Sequence, residues 1–438
     1  MKKKLSLKKK LILKLLKLLS FKKEKMAHYA YKNTNLYKKL YNVVIGNENK
    51  TNIKKINFTD LPLLKKQFVF QSKPFDMLSE KLNNKVFKYA ETTGSTGSPT
   101  PSFFTRKEFK GSLILSKLTT FNNLLKDMPL INKNAVCGLA CGFTIANSSF
   151  HQILDEHGFL TINIDARTTI SPPHRVARLL SRFMPSVIVA SEIDFLSWMK
   201  VLKEEYSYSY DYVVKNLQAL ISTAELCSQE RSKQIEKEFN ISHIDNYSCV
   251  EGFFSLPCLC GEKHILPIYH TEILDDRLDK SSEFGDGRFA FTNLLRKSTP
   301  FVRYLLDDYV TIYPSKCEYG FKKSIMPHGR YELTVNINGK KYGVRHFEAI
   351  LFKNYLFGEY QIRVLDNEIQ ILAEDYIEKK IDYDQIINDY EKKFGLKTSL
   401  KVVDYGKIRN YREIRQTKPL FRLIDKRLLS TQEVPMYV

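Results

Sequence analysis

Several features are missing from this 438-residue chain, and each absence removes a class of protein. No uninterrupted apolar stretch approaches the roughly 20 residues that a membrane-spanning helix requires. The leucines near the N-terminus are broken by lysines and followed by no small-x-small cleavage site, which is not the pattern of a secretory signal peptide. Cysteine is sparse and odd in number, seven residues at Cys137, Cys141, Cys227, Cys249, Cys258, Cys260 and Cys317. Pairing into disulfides is not expected; reduced thiols in a cytoplasmic setting are, either simply buried or holding a metal. Long linkers, internal repeats and recognised nucleic-acid modules are also lacking.

Acidic residues are in short supply, with 48 Asp and Glu against 69 Lys and Arg, for a formal net charge of +21. Such an excess favours polyanionic partners: nucleotides, nucleic acid or an anionic lipid surface. Much of it is concentrated between Met1 and Lys25, where Glu24 is the single acid. That concentration argues against a nucleic-acid partner. In the same stretch Leu5, Leu7, Leu11, Ile12, Leu13, Leu15, Leu16, Leu18 and Leu19 are interspersed with Lys8, Lys9, Lys10, Lys14 and Lys17. A helix over residues 1–25 would carry an apolar stripe and a basic face, and it could pack on its own domain or make peripheral contact with a membrane.

What is present elsewhere belongs to a globular protein. Apolar residues make up 43% and aromatics 12%, and the length is enough for two or more domains. Lys107 to Leu125 reads as a helix. Short apolar runs at Ala135–Ala140, Phe159–Ile164, Pro185–Ala190, Leu217–Thr223 and His243–Tyr247 alternate with helical segments, which predicts a parallel α/β sheet. One intervening helix spans Ser228 to Phe239, with Ser228 as its cap. Beyond Gly252 the pattern turns to β, with strands expected at Ile265–Tyr269, Arg288–Thr292, Tyr309–Tyr313 and Tyr331–Ile337. The tail predicts a small α+β unit: antiparallel strands at Tyr360–Val364 and Glu368–Leu372, a helix at Tyr383–Phe394 and a strand at Ser399–Val403. A boundary is expected near Gly329-Arg330.

One hydroxylic run invites a chemical reading. Thr92-Thr93-Gly94-Ser95-Thr96-Gly97-Ser98-Pro99-Thr100 lies between an apolar approach and the aromatic exit Phe103-Phe104. Two glycines permit tight turning, and successive N–H and hydroxyl groups could converge on phosphate oxygens. A flexible Ser/Gly connector has the same composition. It is not a Walker loop, since no G-K-[ST] closes it.

Taken together, the ordered motifs resemble the adenylate-forming superfamily, in particular its phenylacetate-CoA ligase branch and the related ligase-like proteins of capsule biosynthesis. The resemblance runs from about Leu15 to Arg427. Thr92 to Thr100 resembles the family's [ST]-S-G-[ST]-T-G-x-P-[KT] phosphate loop, and Ile221-Ser222-Thr223-Ala224-Glu225 resembles its I-S-x-[GA]-E strand end beside the adenine. Asn246-Tyr247-Ser248-Cys249-Val250-Glu251-Gly252 is similar to N-x-Y-G-x-T-E-G or the capsule-type Y-G-C-x-E. Thr292-Asn293-Leu294 through Arg303-Tyr304-Leu305-Leu306-Asp307-Asp308 is similar to T-N-L…R-Y-x-T-G-D, and Gly329-Arg330-Tyr331-Glu332 to G-R-x-D. Val250 replaces a common Thr, and Leu306-Asp307 replaces Thr-Gly.

The resemblance implies an α/β and α+β protein: a large N-terminal domain, residues 1–328, of layered α/β sheets with a distorted β-barrel portion, and a small mobile C-terminal α+β domain, residues 329–438, hinged near Glu332. It implies an AMP-forming acid–thiol ligase that uses ATP and Mg²⁺ to convert a carboxylic acid into an acyl-adenylate. The acyl group would then pass to coenzyme A or an acyl-carrier protein; an amine or hydroxyl acceptor, or an impaired nucleotide-binding scaffold, are the alternatives. Thr92, Thr93, Gly94, Ser95, Thr96, Gly97 and Thr100 would hold phosphates, with Ala224, Glu225, Asn246, Tyr247, Asp308 and Arg330 completing the nucleotide contacts. Glu251 would hold Mg²⁺. The late catalytic lysine falls at Lys418, or its place is taken by Leu420 if Phe421-Arg422 sets the alignment. Residues around Phe143 would wall the acid pocket. Cys258, Cys260, His264 and Cys317, the last resembling the relatives' C-x-C-G, form a candidate zinc set of thiolates and imidazole.

Overall fold

A computed structural model describes residues 2–45, 56–92, 99–116, 133–139, 145–223, 225–258, 260–414 and 422–427 of the chain. Within the sequence stretches read above, Thr93 to Ser98, Phe143, Ala224, Lys418 and Leu420 lie outside these described residues, as does the second half of the helix expected to end at Leu125. The chain divides into two compact units. The first draws on residues 1–127, 143–149 and 246–327; the second draws on residues 128–142, 150–245 and 328–438. The chain passes from the first to the second for the last time at Pro327–His328.

The first unit is built on a seven-stranded sheet. Its strands run, in spatial order, Ser281–Ser282, Tyr269–Leu274, Gly285–Asn293, Tyr304–Pro314, Lys323–Arg330 (of which residues 323–327 belong to this unit), Lys263–Ile265 and Ser255–Pro257. Period-two alternation in Gly285–Asn293 sends Phe289 and Phe291 to the core, where Phe254 meets Phe291 edge-on at a centroid distance of 4.5 Å. The long Gly285–Asn293 strand can lie against its neighbour because a Cβ at Gly287 would come within 2.5 Å of the Leu274 carbonyl oxygen. The expected barrel portion is thus an open sheet, and its two edge strands do not pair with each other among the described residues. The N-terminal helices Lys2–Leu19, Lys23–Asn33 and Asn35–Ile45 contribute Leu13, Leu16, Met26, Ala30, Tyr37 and Tyr41 to the same core. Among the described residues no helix is long and apolar enough to cross a membrane.

The second unit contains the predicted parallel sheet, in the order Leu160–Asp165, Asn134–Leu139, Val187–Val189, Ala219–Ser222 and Ser242–Asp245. Val187, Ile188 and Val189 are all fully buried, as a strand covered on both faces requires. Ser228 caps the helix Gln229–Phe239, accepting the Arg231 N–H at 3.1 Å. The tail folds as expected: Phe357–Val364 and Glu368–Asp375 pair antiparallel, Lys397–Asp404 and Leu423–Asp425 add parallel strands at the edges, and Tyr383–Phe394 is helical. One continuous core joins the two sheets within this unit, running from Leu196 and Phe239 to Phe352, Tyr360 and Tyr376.

Two expected strands are broken in the structure. Ile265–Tyr269 is interrupted by a turn in which the Tyr269 N–H reaches the Leu266 carbonyl at 3.1 Å; Pro267, with no N–H, cannot continue a sheet ladder there. Tyr331–Ile337 begins as the 3₁₀ turn Tyr331–Leu333 and becomes a strand only at Val335–Ile337. That strand returns to Lys340–Tyr342 through Asn338-Gly339, both with positive φ (51° and 74°), the tight hairpin turn that Asn-Gly favours.

Candidate functional site

The strands Val86–Glu91 and Pro101–Thr105 pair antiparallel, with Glu91 opposite Pro101, and so bring the two ends of the hydroxylic run together. Thr92 closes this neck twice: its Oγ1 accepts the Thr100 N–H at 2.9 Å, and its own N–H reaches the Thr100 carbonyl at 3.3 Å. Thr92 and Thr100 are therefore held side by side. Thr100 Oγ1 lies 3.1 Å from the Tyr304 hydroxyl, which donates to Glu251 Oε1 at 2.9 Å. Tyr304 is fully buried, and burial together with the Glu251 carboxylate keeps its phenol protonated well beyond its ordinary range. Glu251 is buried too, with the Cys249 thiol beside its carboxylate, yet among the described residues its Oε2 makes no hydrogen bond of ordinary geometry. A buried carboxylate oxygen with no donor is a costly arrangement unless a cation or water completes it. This donor chemistry fits Mg²⁺, which takes carboxylate, water and phosphate oxygens.

Arg296 braces the same region. Its guanidinium donates to the Phe103 carbonyl at 3.0 Å and the Val250 carbonyl at 3.2 Å, and lies 3.8 Å from the Phe104 ring centroid. The strand leaving the loop is thereby tied to the residue preceding Glu251. Burial lowers the Arg296 pKa to about 10, still well above neutrality.

Tyr247 and Asp308 come together as well, the Tyr247 hydroxyl donating to Asp308 Oδ2 at 2.6 Å. Asn246 is buried, donating from Nδ2 to Ser248 Oγ at 2.9 Å, with its Oδ1 lacking a hydrogen-bond partner among the described residues. Arg303 positions this segment. Its guanidinium forks onto Glu272 at 2.9 to 3.2 Å and also donates to the Thr59 and Leu61 carbonyls. In the second unit, Glu225 sits between two arginines, with Arg167 at 2.7 Å and Arg422 at 3.5 Å. Arg330 ends its strand and precedes the 3₁₀ turn Tyr331–Leu333. That unit also has a cleft lined by Arg167, Trp198, Glu374, Tyr405 and Arg409, none of them a residue that the resemblance assigns to nucleotide or metal.

The second constellation is made of thiols. Cys258, Cys260, His264 and Cys317 present ligand atoms that all lie within 4.8 Å of one another. Two turns build it: Gly261 (φ +85°) sends its N–H to the Cys258 carbonyl at 2.9 Å, and Gly320 (φ +92°) does the same to the Cys317 carbonyl at 3.0 Å. Cys258 Sγ and Cys317 Sγ are 3.8 Å apart. Tetrahedral zinc with Zn–S of about 2.3 Å gives an S···S edge of about 3.8 Å. His264 Nε2 is 3.1 Å from Cys260 Sγ, while its Nδ1 meets Ser324 Oγ at 3.0 Å. Ser324 in turn donates to Glu262 Oε2 at 2.7 Å, which leaves its oxygen to accept the Nδ1 proton and turns the Nε2 lone pair toward the thiols. Burial lowers the His264 pKa, keeping the imidazole neutral, the form that binds metal. The residues present fit a zinc ion.

The sequence pattern did not identify Tyr304, Arg296, Ser324 or Glu262 as site-forming. Tyr304 lies in the Arg303–Asp308 motif, but its hydroxyl contact with Glu251 spans 53 positions and only folding makes it.

No family model matches the chain, and no curated protein sequence matches it. Solved structures do. A 2-hydroxyisobutyryl-CoA ligase in its postadenylation state, in complex with R3-HIB-AMP, superposes with a TM-score of 0.71 at 15% identity, over 92% of this chain and 88% of that one. The acyl acid amido synthetase AtGH3.15, in complex with 2,4-DB, matches at a TM-score of 0.58 and 13% identity, over 90% and 89% of the two chains. The anthranilate CoA ligase AuaEII, in complex with anthranoyl-AMP, matches at 0.50 and 13%, over 73% of this chain and 63% of that one. The fold is that of the adenylate-forming ligases.

Proposed function

We propose that this protein activates a carboxylic acid with ATP and passes the acyl group to a thiol of coenzyme A or of a carrier protein. In the first half-reaction a carboxylate oxygen attacks the α-phosphorus and pyrophosphate leaves, so negative charge gathers on phosphoryl oxygens. In the second, the thiol sulfur attacks the acyl carbonyl and AMP leaves. The observation that carries the reading is the Thr100–Tyr304–Glu251 relay, which couples one end of the hydroxylic run to a buried carboxylate whose second oxygen has no hydrogen-bond partner among the described residues. On this reading the Thr92 to Thr100 loop binds the β- and γ-phosphates with neutral donors, Glu251 holds Mg²⁺, Tyr247 offers its ring to adenine and Asp308 accepts from the ribose hydroxyls. Mg²⁺ would neutralise charge on the phosphates. Ala224, Glu225, Asn246 and Arg330 remain proposed nucleotide contacts, and Lys418 the proposed lysine of the adenylation step. Residues 329–438 are the proposed mobile part, hinged near Glu332.

The thiol acceptor is favoured by the likeness to two CoA ligases, whereas the amido synthetase likeness keeps an amine acceptor as a second reading. Cys258, Cys260, His264 and Cys317 are proposed to hold a structural Zn²⁺ that pins two turns 59 positions apart. Reduced thiols of this kind suit a cytoplasmic location.

The test is pyrophosphate release with ATP over a panel of aryl, fatty and amino acids, followed by addition of coenzyme A or hydroxylamine to trap the acyl group. Release with at least one acid is the expected result. Silence across the panel, in protein that binds ATP, would turn the reading to a nucleotide-binding scaffold. If adenylation is seen, Lys418→Ala should abolish most of it; an unchanged rate would remove Lys418 from the mechanism.

A further inference from the structure

The N-terminal helix Lys2–Leu19 carries eight lysines and no acid, and Leu11, Leu13, Leu15, Leu16 and Leu18 fall on two faces. Leu13 and Leu16 are 8% and 6% exposed and belong to the first unit's core. Leu11, Leu15 and Leu18 are 68%, 53% and 73% exposed. At about 100° per residue these three, spaced i, i+4 and i+7, occupy an arc of about 60°. Lys10, Lys14 and Lys17 are exposed and repeat the same spacing along one flank of the stripe. The inward leucines already anchor the helix to its own fold. The outward ones form a separate leucine row beside a row of positive charge.

We propose that this outward face docks the protein on an anionic phospholipid surface. The leucines would enter the headgroup–acyl boundary, and the lysine stems would follow them while their ammonium groups meet lipid phosphates. Charge selects this occupant over the others. A second copy of the helix would bring lysine rows together with no acid on the helix to pair them. A nucleic acid would satisfy the lysines but leave the leucine row in water. The inference stands independently of the ligase reading, since nothing in it involves the nucleotide.

The experiment is co-sedimentation of the full chain with vesicles of phosphatidylcholine, alone and mixed with phosphatidylglycerol, at low and high salt. Binding is expected only to the mixed vesicles and should weaken with salt. At about 1 kcal/mol for each lysine near the surface, a single neutralisation weakens binding about fivefold, and the triple variant Lys10→Gln, Lys14→Gln, Lys17→Gln about a hundredfold. The triple variant Leu11→Ser, Leu15→Ser, Leu18→Ser should lose vesicle binding while keeping the wild-type melting temperature, because none of its side chains is in the core. Failure of the wild type to bind mixed vesicles overturns the proposal, as does a leucine variant that binds as well as the wild type. Leucine-dependent dimers by light scattering, or duplex-DNA binding insensitive to the leucine changes, without vesicle binding, would hand the face to one of the rejected occupants.

Discussion

Tyr304→Phe removes a single oxygen at the centre of the proposed site. The phenol is fully buried and bridges Thr100 Oγ1 and Glu251 Oε1 at 3.1 and 2.9 Å. Glu251 Oε2 already lacks a hydrogen-bond partner among the described residues, so the substitution strips the carboxylate of the phenol that fixes its orientation. A hydrogen bond to a charged group contributes about 1.5 to 3 kcal/mol, and the variant should lose about that much stability. Losing the group that orients a metal-ligating carboxylate typically costs about 10 to 100-fold in metal affinity. Calorimetric titration of ATP at a series of Mg²⁺ concentrations reads this directly: the Mg²⁺ requirement should move upward by that factor. Tyr37→Phe is the control. Its hydroxyl is equally buried and bonds the Val302 N–H at 2.6 Å and carbonyl at 3.2 Å, so it should lose stability without changing the Mg²⁺ requirement. If Tyr304→Phe is destabilised but keeps the wild-type Mg²⁺ dependence, the relay is structural and Glu251 is not the metal ligand.

Three further outcomes are expected. Protein purified without chelators should hold one zinc per chain by elemental analysis. Cys317→Ser should lose it and melt at lower temperature, Ser324→Ala should weaken it by about 10 to 100-fold, and only trace metal in the wild type would sink the assignment. Glu348→Gln should cost about 3 to 5 kcal/mol in urea unfolding, because Glu348 and Arg231 are both completely buried, 3.1 Å apart, and the change strands the guanidinium; a loss below about 1 kcal/mol would refute that account. Burial lifts the Glu374 carboxyl to about 7 against the pull of the Arg409, Glu359 and Ile408 N–H groups, with the nearby Glu359 carboxylate adding to the rise. The folded state thus keeps a proton that the unfolded chain releases. The associated stability is present in full below about pH 4.5 and is lost, by about 3 kcal/mol, as pH rises through 7. Urea midpoints at pH 5 and 8 should show this fall, and Glu374→Gln should flatten it; an unchanged slope in the variant would assign the pH dependence to other groups.

Local pattern and tertiary structure contributed different things to this protein. The alternation of short apolar runs with helices was enough to predict the parallel sheet, and Ser228 was legible as a cap because capping involves only a residue and the N–H three positions on. The clustering of the four residues proposed for zinc could be anticipated from spacing and resemblance, since three of them fall within seven positions and a turn glycine stands among them. Pro267 could have revealed the break in the strand expected at Ile265–Tyr269, for the missing N–H is visible without a structure. Distance along the chain limited the rest. No periodicity joins Thr100 to Tyr304 or Tyr304 to Glu251, and no composition rule tells a buried leucine at position 13 from an exposed one at position 15. Those outcomes depend on which face of each element meets the core. The amino-acid sequence determined the elements, their caps and the residue types available for phosphate and metal; the tertiary structure decided which carboxylates, Glu251 among them, have an oxygen without a partner among the described residues and which leucines are left in water, because both are properties of packing between segments far apart in the chain.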